Sequence, residues 1–254
     1  MSTVPRDPAL LNVTAESLVR WAGGFEDTAP HAEILSMQLG IAQSMPQASQ
    51  NIIYCEVIAK YMPALADVWR RATEAVTPAG TLINAASTTP YFVRFLRSPD
   101  GADIAAIQAQ RVAAAVDRVP SMPLDHIAEL GQFLSTLFLL QGTQGVSAED
   151  KSILVQHLPQ WERRYDGVLA GETAGRCLAL LTDDRNMRPM MDMVRNMLES
   201  KMDKCGGPGC TRRVQKDGAV LQQCGRCKSA VYCGTPHQKA AWPAHKSTCF
   251  TPAF

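Results

Sequence analysis

The sequence predicts a mainly α-helical protein, with an irregular, bundled or armadillo-like helical domain followed by a small cysteine-rich module. Three observations support this fold class. Ala, Leu and Met supply much of the apolar content and aromatic residues only 6% of the chain, a composition that favours helices. Apolar residues recur at helical spacing between Pro and Gly breaks. Six of the eight cysteines lie between Cys205 and Cys249.

The predicted helices follow one another from the start of the chain to the cysteine-rich module. Each has apolar residues three or four positions apart, and no segment shows the sustained alternation of a strand. We therefore expect almost no sheet before residue 203. The predicted helices are 15–21, 31–45, 49–61, 64–76, 102–119, 121–141, 147–158, 171–181 and 186–200.

Local signals predict where several of these helices begin and end. Pro63 is expected to close helix 49–61, because proline lacks the N–H that a helix interior needs. Ser121 is expected to cap the next long helix, with Pro123 in its first turn. Ser147 and Asp150 resemble a capping box, with Asp in place of the usual Glu.

These segments define the predicted domain boundaries. Residues 1–25 form a partly ordered N-terminal segment, 26–202 an all-helical domain, 203–250 the cysteine-rich module and 251–254 a short tail. No fixed repeat period is present, so stacking as an armadillo-like array and packing as an irregular bundle both fit the helical domain.

Charge and hydropathy indicate the compartment and the class of partner. The strongest apolar run, 133–140, is far shorter than a membrane span, and the first residues lack the order of a signal peptide. We therefore expect an intracellular protein, in the cytoplasm or the nucleus, with no membrane partner. Residues 201–254 hold nine Lys or Arg and two Asp, a net charge of +7. This charge either balances metal-bound thiolates or attracts an acidic or nucleic-acid partner.

A group of methionines near the end of the helical domain has two interpretations. Their spacing is partly helical, which fits a packed core or interdomain face. It also fits a Met-rich docking groove. The residues are Met187, Met190, Met191, Met193 and Met197.

The cysteine-rich module contains four pairs of Cys and His ligands at short spacing. Zinc prefers four such N and S ligands in a tetrahedron, and a close pair supplies two of them, so the module predicts two zinc ions. So short a segment buries too small a core to fold alone, and structural zinc supplies the missing stability. The pairs are Cys205 with Cys210, Cys224 with Cys227, Cys233 with His237, and His245 with Cys249.

This module resembles the MYND-type zinc finger. The match lies at Tyr232, Cys233, Gln238, Trp242, His245, Lys246 and Cys249, together with the Cys224 and Cys227 knuckle. Two departures are a four-residue gap between Cys205 and Cys210, and His237 where the family usually has Cys. The resemblance implies interleaved pairs, with zinc 1 held by Cys205, Cys210, Cys233 and His237, and zinc 2 by Cys224, Cys227, His245 and Cys249.

The resemblance also implies a function in protein–protein interaction. Several members of the family bind proline-containing peptides through a Gln and a Trp, which correspond here to Gln238 and Trp242. Packing of Trp242 against the zinc knuckles and solvation of Gln238 are the plainer alternatives. We expect no enzyme activity, because both sites are closed by four ligands and residues 201–254 contain no Glu.

Three other function classes fit the sequence less well. A DNA-associated transcriptional regulator fits the +7 charge, but the basic residues are scattered and no long recognition helix is present. A lysine methyltransferase that combines a MYND finger with a SET domain would need catalytic segments that the sequence lacks. The spacing of the ligands also differs from that of a RING ubiquitin ligase.

Overall fold

The computed structural model describes residues 8–214, 218 and 220–254. These residues form two compact units. The first contains the described residues up to 71, residues 77–92 and the described residues after 200; the second contains residues 72–76 and 93–200. Residues 1–7 of the predicted N-terminal segment lie outside the described residues.

The first unit begins with short helices and continues with one long helix. α2 begins after Thr14, whose hydroxyl accepts a hydrogen bond from the Ser17 N–H at 3.0 Å, and Thr77 caps α5 in the same way. α6 leads the chain from the first unit into the second. The helices are α1 (Pro8–Leu11), α2 (Ala15–Trp21), α3 (Ala32–Ser44), α4 (Gln47–Arg71), α5 (Pro78–Ala85) and α6 (Pro90–Leu96).

α4 runs without interruption through Pro63, so the prediction that Pro63 ends a helix was wrong. Met62 and Leu65 on either side of it are fully buried, and their burial outweighs the loss of one helical hydrogen bond. Pro63 has no N–H to donate to the carbonyl of Ala59. That carbonyl instead accepts a hydrogen bond from the Ala253 N–H at 2.8 Å. The tail, residues 251–254, therefore supplies the hydrogen bond that Pro63 cannot provide within the helix.

The second unit is a set of helices packed around α10. α10 packs against α8 and α9, and Gly131 allows the close approach of α8, because a Cβ at this position would lie 2.3 Å from the Thr173 hydroxyl oxygen. Leu134, Phe138 and Leu154 are buried in the unit. Its helices are α7 (Ile104–Ala114), α8 (Leu124–Gln141), α9 (Ala148–Arg164), α10 (Leu169–Thr182) and α11 (Arg188–Asp203), the last three residues of which belong to the first unit.

The helix caps predicted here had different outcomes. Ser147 caps α9 as predicted and accepts from the Asp150 N–H at 3.0 Å. α9 continues past the predicted end to Arg164, because it buries Leu158 and Trp161 on one face. Ser121 is not a cap: it ends a 3₁₀ turn, where its hydroxyl donates to the Arg118 carbonyl, and α8 begins only after Pro123.

The structure confirms the predicted fold class. Strands in the described part of the chain are limited to β1 (Gln222–Gln223) and β2 (Val231–Tyr232), which pair antiparallel with Gln222 opposite Tyr232. One further helix, α12 (Thr235–His245), and a 3₁₀ turn, Lys246–Thr248, follow. None of the helices in the described residues has the length and apolar character needed to cross a membrane.

Candidate metal centre

Two groups of Cys and His side chains come together between residues 205 and 249. Within each group, the four potential ligand atoms lie within 4.8 Å of one another. The first quartet is Cys205, Cys210, Cys233 and His237, and the second quartet is Cys224, Cys227, His245 and Cys249. The structure therefore places each predicted ligand with the partners that the interleaved arrangement implies.

The first quartet joins the loop after α11 to the start of α12. β2 ends at Tyr232 and delivers Cys233, and the first turn of α12 delivers His237. The sulfur of Cys205 lies 3.3 Å from Nδ1 of His237, and that of Cys210 lies 3.4 Å from that of Cys233. Only Cys205 is buried, so this quartet is partly open to solvent.

Glycine is required in the loop between Cys205 and Cys210. A Cβ at Gly207 would lie 2.6 Å from Cγ of His237, and one at Gly206 would lie 3.0 Å from the Tyr232 ring. The close contact at Gly207 explains why glycine is needed in this unusual four-residue gap. Its glycines let the backbone pass directly against the imidazole ring that completes the quartet.

The backbone around Cys205 favours its thiolate form. The N–H groups of Gly207 and Cys233 donate to its sulfur at 3.4 and 3.2 Å. Burial on its own raises the pKa of the Cys205 thiol, but these hydrogen bonds, together with side-chain contacts to His237 and Cys233, outweigh it and lower that pKa to about 6. A metal-bound cysteine must be a thiolate, so these N–H groups stabilise Cys205 in the form that binds zinc.

The second quartet is built from a tight turn and the end of α12. The Cys224–Cys227 turn closes with a hydrogen bond from the Lys228 N–H to the Cys224 carbonyl at 3.0 Å, with Lys228 in the left-handed region at φ +57°. The sulfurs of Cys224 and Cys249 lie 3.8 Å apart. The sulfur of Cys227 lies 3.6 Å from Nε2 of His245, and all three cysteines are buried.

Both quartets fit a tetrahedral zinc ion. With Zn–S near 2.3 Å and Zn–N near 2.0 Å, neighbouring ligand atoms are separated by about 3.6–3.8 Å. The second quartet has these separations, and the first is a few tenths of an ångström tighter at 3.3 and 3.4 Å. Each quartet can hold one zinc ion, and four protein donors leave no coordination position for water or substrate.

The cysteines outside the quartets have a different environment. Cys55 and Cys177 are buried, and burial raises the pKa of Cys55 to about 11 and that of Cys177 to about 12. Both therefore remain protonated thiols at neutral pH. Cys177 contacts the Gly131 carbonyl at 3.3 Å and serves the packing of the second unit.

Tyr91 supports the second quartet, a role that no sequence motif indicates. Its hydroxyl lies 2.9 Å from the Thr248 carbonyl oxygen and 3.0 Å from that of Phe250, and it accepts from the Phe250 N–H at 2.7 Å. These contacts hold the backbone on both sides of Cys249. No spacing rule links Tyr91 to the cysteines, because the contact joins residues 159 positions apart.

Gln238 and Trp242, the predicted peptide-binding residues, both lie on α12. They are four residues apart and therefore share one face of the helix. Trp242 is 42% exposed, and its ring meets the ring of His245 edge-on at 5.9 Å. Gln238 is partly exposed.

Comparison with known families agrees with this geometry. Residues 203–249 match the family model of the MYND finger. The chain therefore carries a MYND zinc finger with two zinc-binding clusters, and fingers of this family generally mediate protein–protein interactions. No solved structure matches the chain.

Proposed function

We propose that the finger docks a short proline-containing segment of a partner protein in a groove formed by Gln238 and Trp242. The observation that supports this most directly is the exposure of Trp242. A tryptophan that served only to fill the small core between the zinc knuckles would be buried, whereas this one is 42% exposed. An exposed, fixed aromatic ring is a common anchor for proline-rich chains.

The arrangement on α12 gives each side chain a role. The edge-on contact with His245 fixes the indole of Trp242, so its free face can stack against a proline ring. The amide of Gln238, one helical turn earlier, can donate to a peptide carbonyl and accept from a peptide N–H. The peptide is thereby positioned by one apolar and one polar contact.

We further propose that the chain acts as an adaptor and not as an enzyme. Each quartet offers four protein donors, so a bound zinc ion would hold the finger together without activating water. None of the eight cysteines forms a disulfide, which fits an intracellular compartment, the cytoplasm or the nucleus.

Gln238→Ala tests the groove without opening either quartet. An array of proline-containing peptides would first identify a binder of the full zinc-loaded chain. We expect Gln238→Ala to retain two zinc ions by elemental analysis and to lose about tenfold in affinity for that peptide by calorimetry. Gln156→Ala, an exposed helical glutamine in the second unit, is the matched control and should bind like the parent. Equal affinity for parent and Gln238→Ala would place the groove elsewhere.

A DNA-associated role is the second candidate, because residues 201–254 carry a net charge of +7. The two roles differ in their response to salt. Binding to DNA would weaken steeply between 50 and 200 mM salt, by about a thousandfold for several phosphate contacts, whereas stacking of a proline ring would change little. A salt titration with duplex DNA and with the array peptide separates them.

A further inference from the structure

The second unit contains an open cleft of about 630 Å³. Apolar side chains from α10 and α11 line much of it, including Leu178, Ala179, Met190 and Met191. Its volume lies in the range of sites that accept a few apolar groups. Methionine side chains are flexible and polarisable, so such a wall can adapt to differently shaped apolar side chains.

The apolar surface continues from this cleft along α11. Met190, Met193 and Met197 are three and seven residues apart, which places them on one helix face, and they are 40%, 66% and 66% exposed. Met191 and Leu198 on the same helix are buried, so the helix packs through these residues and not through the exposed methionines. We call the exposed residues Met190, Met193 and Met197 the Met stripe. It extends about 10 Å along the helix, which favours an elongated occupant over a compact small molecule.

Carboxylates dominate the charged lining of the cleft. Glu162, Glu172 and Asp184 line it, and Arg176 is the one basic residue among its described lining residues. Two nearby arginines have partners already: Arg188 pairs with Asp183, and Nε of Arg195 donates to the Leu139 carbonyl at 2.6 Å. The cleft therefore combines apolar walls with an excess of negative charge, a pattern complementary to a basic amphipathic segment.

We propose that the cleft and the Met stripe dock an amphipathic helical segment of a partner protein that carries Lys or Arg beside its apolar anchors. Apolar side chains three or four residues apart enter the cleft and lie along the Met stripe, as in other helix-in-groove complexes. The basic side chains pair with Glu162, Glu172 or Asp184. This site is separate from the groove on α12 and does not depend on the function proposed for the finger.

The test uses the full zinc-loaded chain and two fluorescent 14-residue amphipathic peptides, one of Leu and Lys and one of Leu and Glu in the same pattern. We expect the Leu/Lys peptide to bind at least about tenfold more tightly by fluorescence anisotropy. Met190→Gln should weaken that binding about tenfold, because it removes an apolar wall of the cleft. Val155→Gln is the matched control: Val155 is 38% exposed on α9 and does not line the cleft.

A second pair of variants tests the charge. Glu172 and Glu149 both lie in the first turn of a helix, but only Glu172 lines the cleft. Glu172→Gln should weaken binding of the Leu/Lys peptide about threefold at low salt, and Glu149→Gln should not. Equal binding of the two peptides, or equal losses in Met190→Gln and Val155→Gln, would overturn the proposal. Binding of a monomeric alkylammonium ion without binding of the Leu/Lys peptide would also overturn it, since the cleft would then be a small-molecule site.

Discussion

The two compact units of this protein are held together in different ways. The first is assembled from three separate stretches of the chain, and its last stretch contains both quartets. The second is almost continuous in sequence and consists of helices packed through buried side chains. Both units bury apolar side chains between their helices, and metal ligation and long-range backbone contacts stabilise the first unit in addition.

This difference shows that the finger is not an independent appendage. Tyr91 and the carbonyl of Ala59, both from the helical part of the first unit, bind the backbone around and beyond Cys249. Lys60 of α4 also lies over the ring of Phe250, 5.6 Å from its centroid. A change at the metal should therefore reach α4, although α4 lies far from both quartets in sequence.

Removal of zinc should have the largest effect on stability, and this effect should be confined to the first unit. Structural zinc contributes about 10–16 kcal/mol in small fingers, so a strong chelator should unfold residues 203–250. We expect α4 to lose much of its protection from hydrogen exchange while α8 and α10 retain theirs, as measured by mass spectrometry. Equal loss of protection in α8 and α10 would show that the two units fold as one.

His237→Ala sharpens the same experiment, because it removes one donor from the first quartet alone. Elemental analysis should then return about one zinc ion per chain in place of two. The second quartet, with three buried cysteines, should remain filled. A loss of both ions would mean that the quartets bind cooperatively and cannot be treated as separate sites.

The next largest effect should come from Gly131→Ala, which acts on the second unit. The new methyl group would lie 2.3 Å from the Thr173 hydroxyl oxygen and force α8 away from α10. We expect a loss of about 1–3 kcal/mol in the unfolding free energy of the second unit, with unchanged zinc content. Chemical denaturation followed by hydrogen exchange measures it.

Gly40→Ala is the control for this substitution. Gly40 lies within α3, and a Cβ there would have no heavy atom within 4 Å. The same change should therefore stabilise the chain by about 0.5–1 kcal/mol through helix propensity. If both variants were stabilised, the close contact between α8 and α10 would not limit packing.

Tyr91→Phe should have a smaller effect, confined to the first unit. It leaves the Phe250 N–H without its acceptor. We expect the free energy of unfolding to fall by about 1–2 kcal/mol, as measured by chemical denaturation. Tyr54→Phe is the matched control, since the Tyr54 hydroxyl is buried without a hydrogen-bond partner among the described residues. Its removal should be neutral or slightly stabilising, and equal costs for the two variants would refute the role assigned to Tyr91.

The smallest effect is expected at the Ala59 carbonyl. Ala253→Pro removes the N–H that this carbonyl accepts from the tail and should lower the free energy of unfolding by about 1 kcal/mol. In the Pro63→Ala background, residue 63 regains an N–H for the same carbonyl. There, Ala253→Pro should lower the free energy of unfolding much less than it does in the parent chain. A double-mutant cycle measures this coupling, and any strain from the new proline cancels because it is present in both backgrounds. Additive costs would contradict the exchange of donors.

Local patterns explain what could be predicted from the sequence. The ligand pairs are adjacent in the chain, and the Ser147 cap depends on a residue three positions away, so both can be recognised without tertiary information. The short helices Pro78–Ala85 and Pro90–Leu96 were not predicted, because each begins with a proline, a residue that marks a helix break as readily as a helix start.

Features that depend on distant residues could not be predicted. Pro63 is a strong stop signal by itself, and only the Ala253 N–H and the buried neighbours of Pro63 show why the helix continues. The support of Cys249 by Tyr91 likewise needs the tertiary structure. The close approach of the loop backbone to His237 explains Gly207 in the Cys205–Cys210 gap, and no sequence spacing indicates this contact.

The three-segment construction of the first unit has a consequence for protein synthesis. Tyr91 leaves the ribosome 159 residues before Phe250, an interval of about 8–32 s at ordinary rates of translation. During that interval residues 93–200 are completed and the second unit can fold, whereas α4 still has neither the tail nor the finger to pack against. Zinc therefore binds last. Chains made under zinc limitation should accumulate with a folded second unit and an incompletely folded first unit. Proteolysis of nascent chains stalled after residues 93–200 have left the ribosomal tunnel, but before the finger has, should cut α4 and spare α8 to α10, and equal protection of both would contradict this order of assembly.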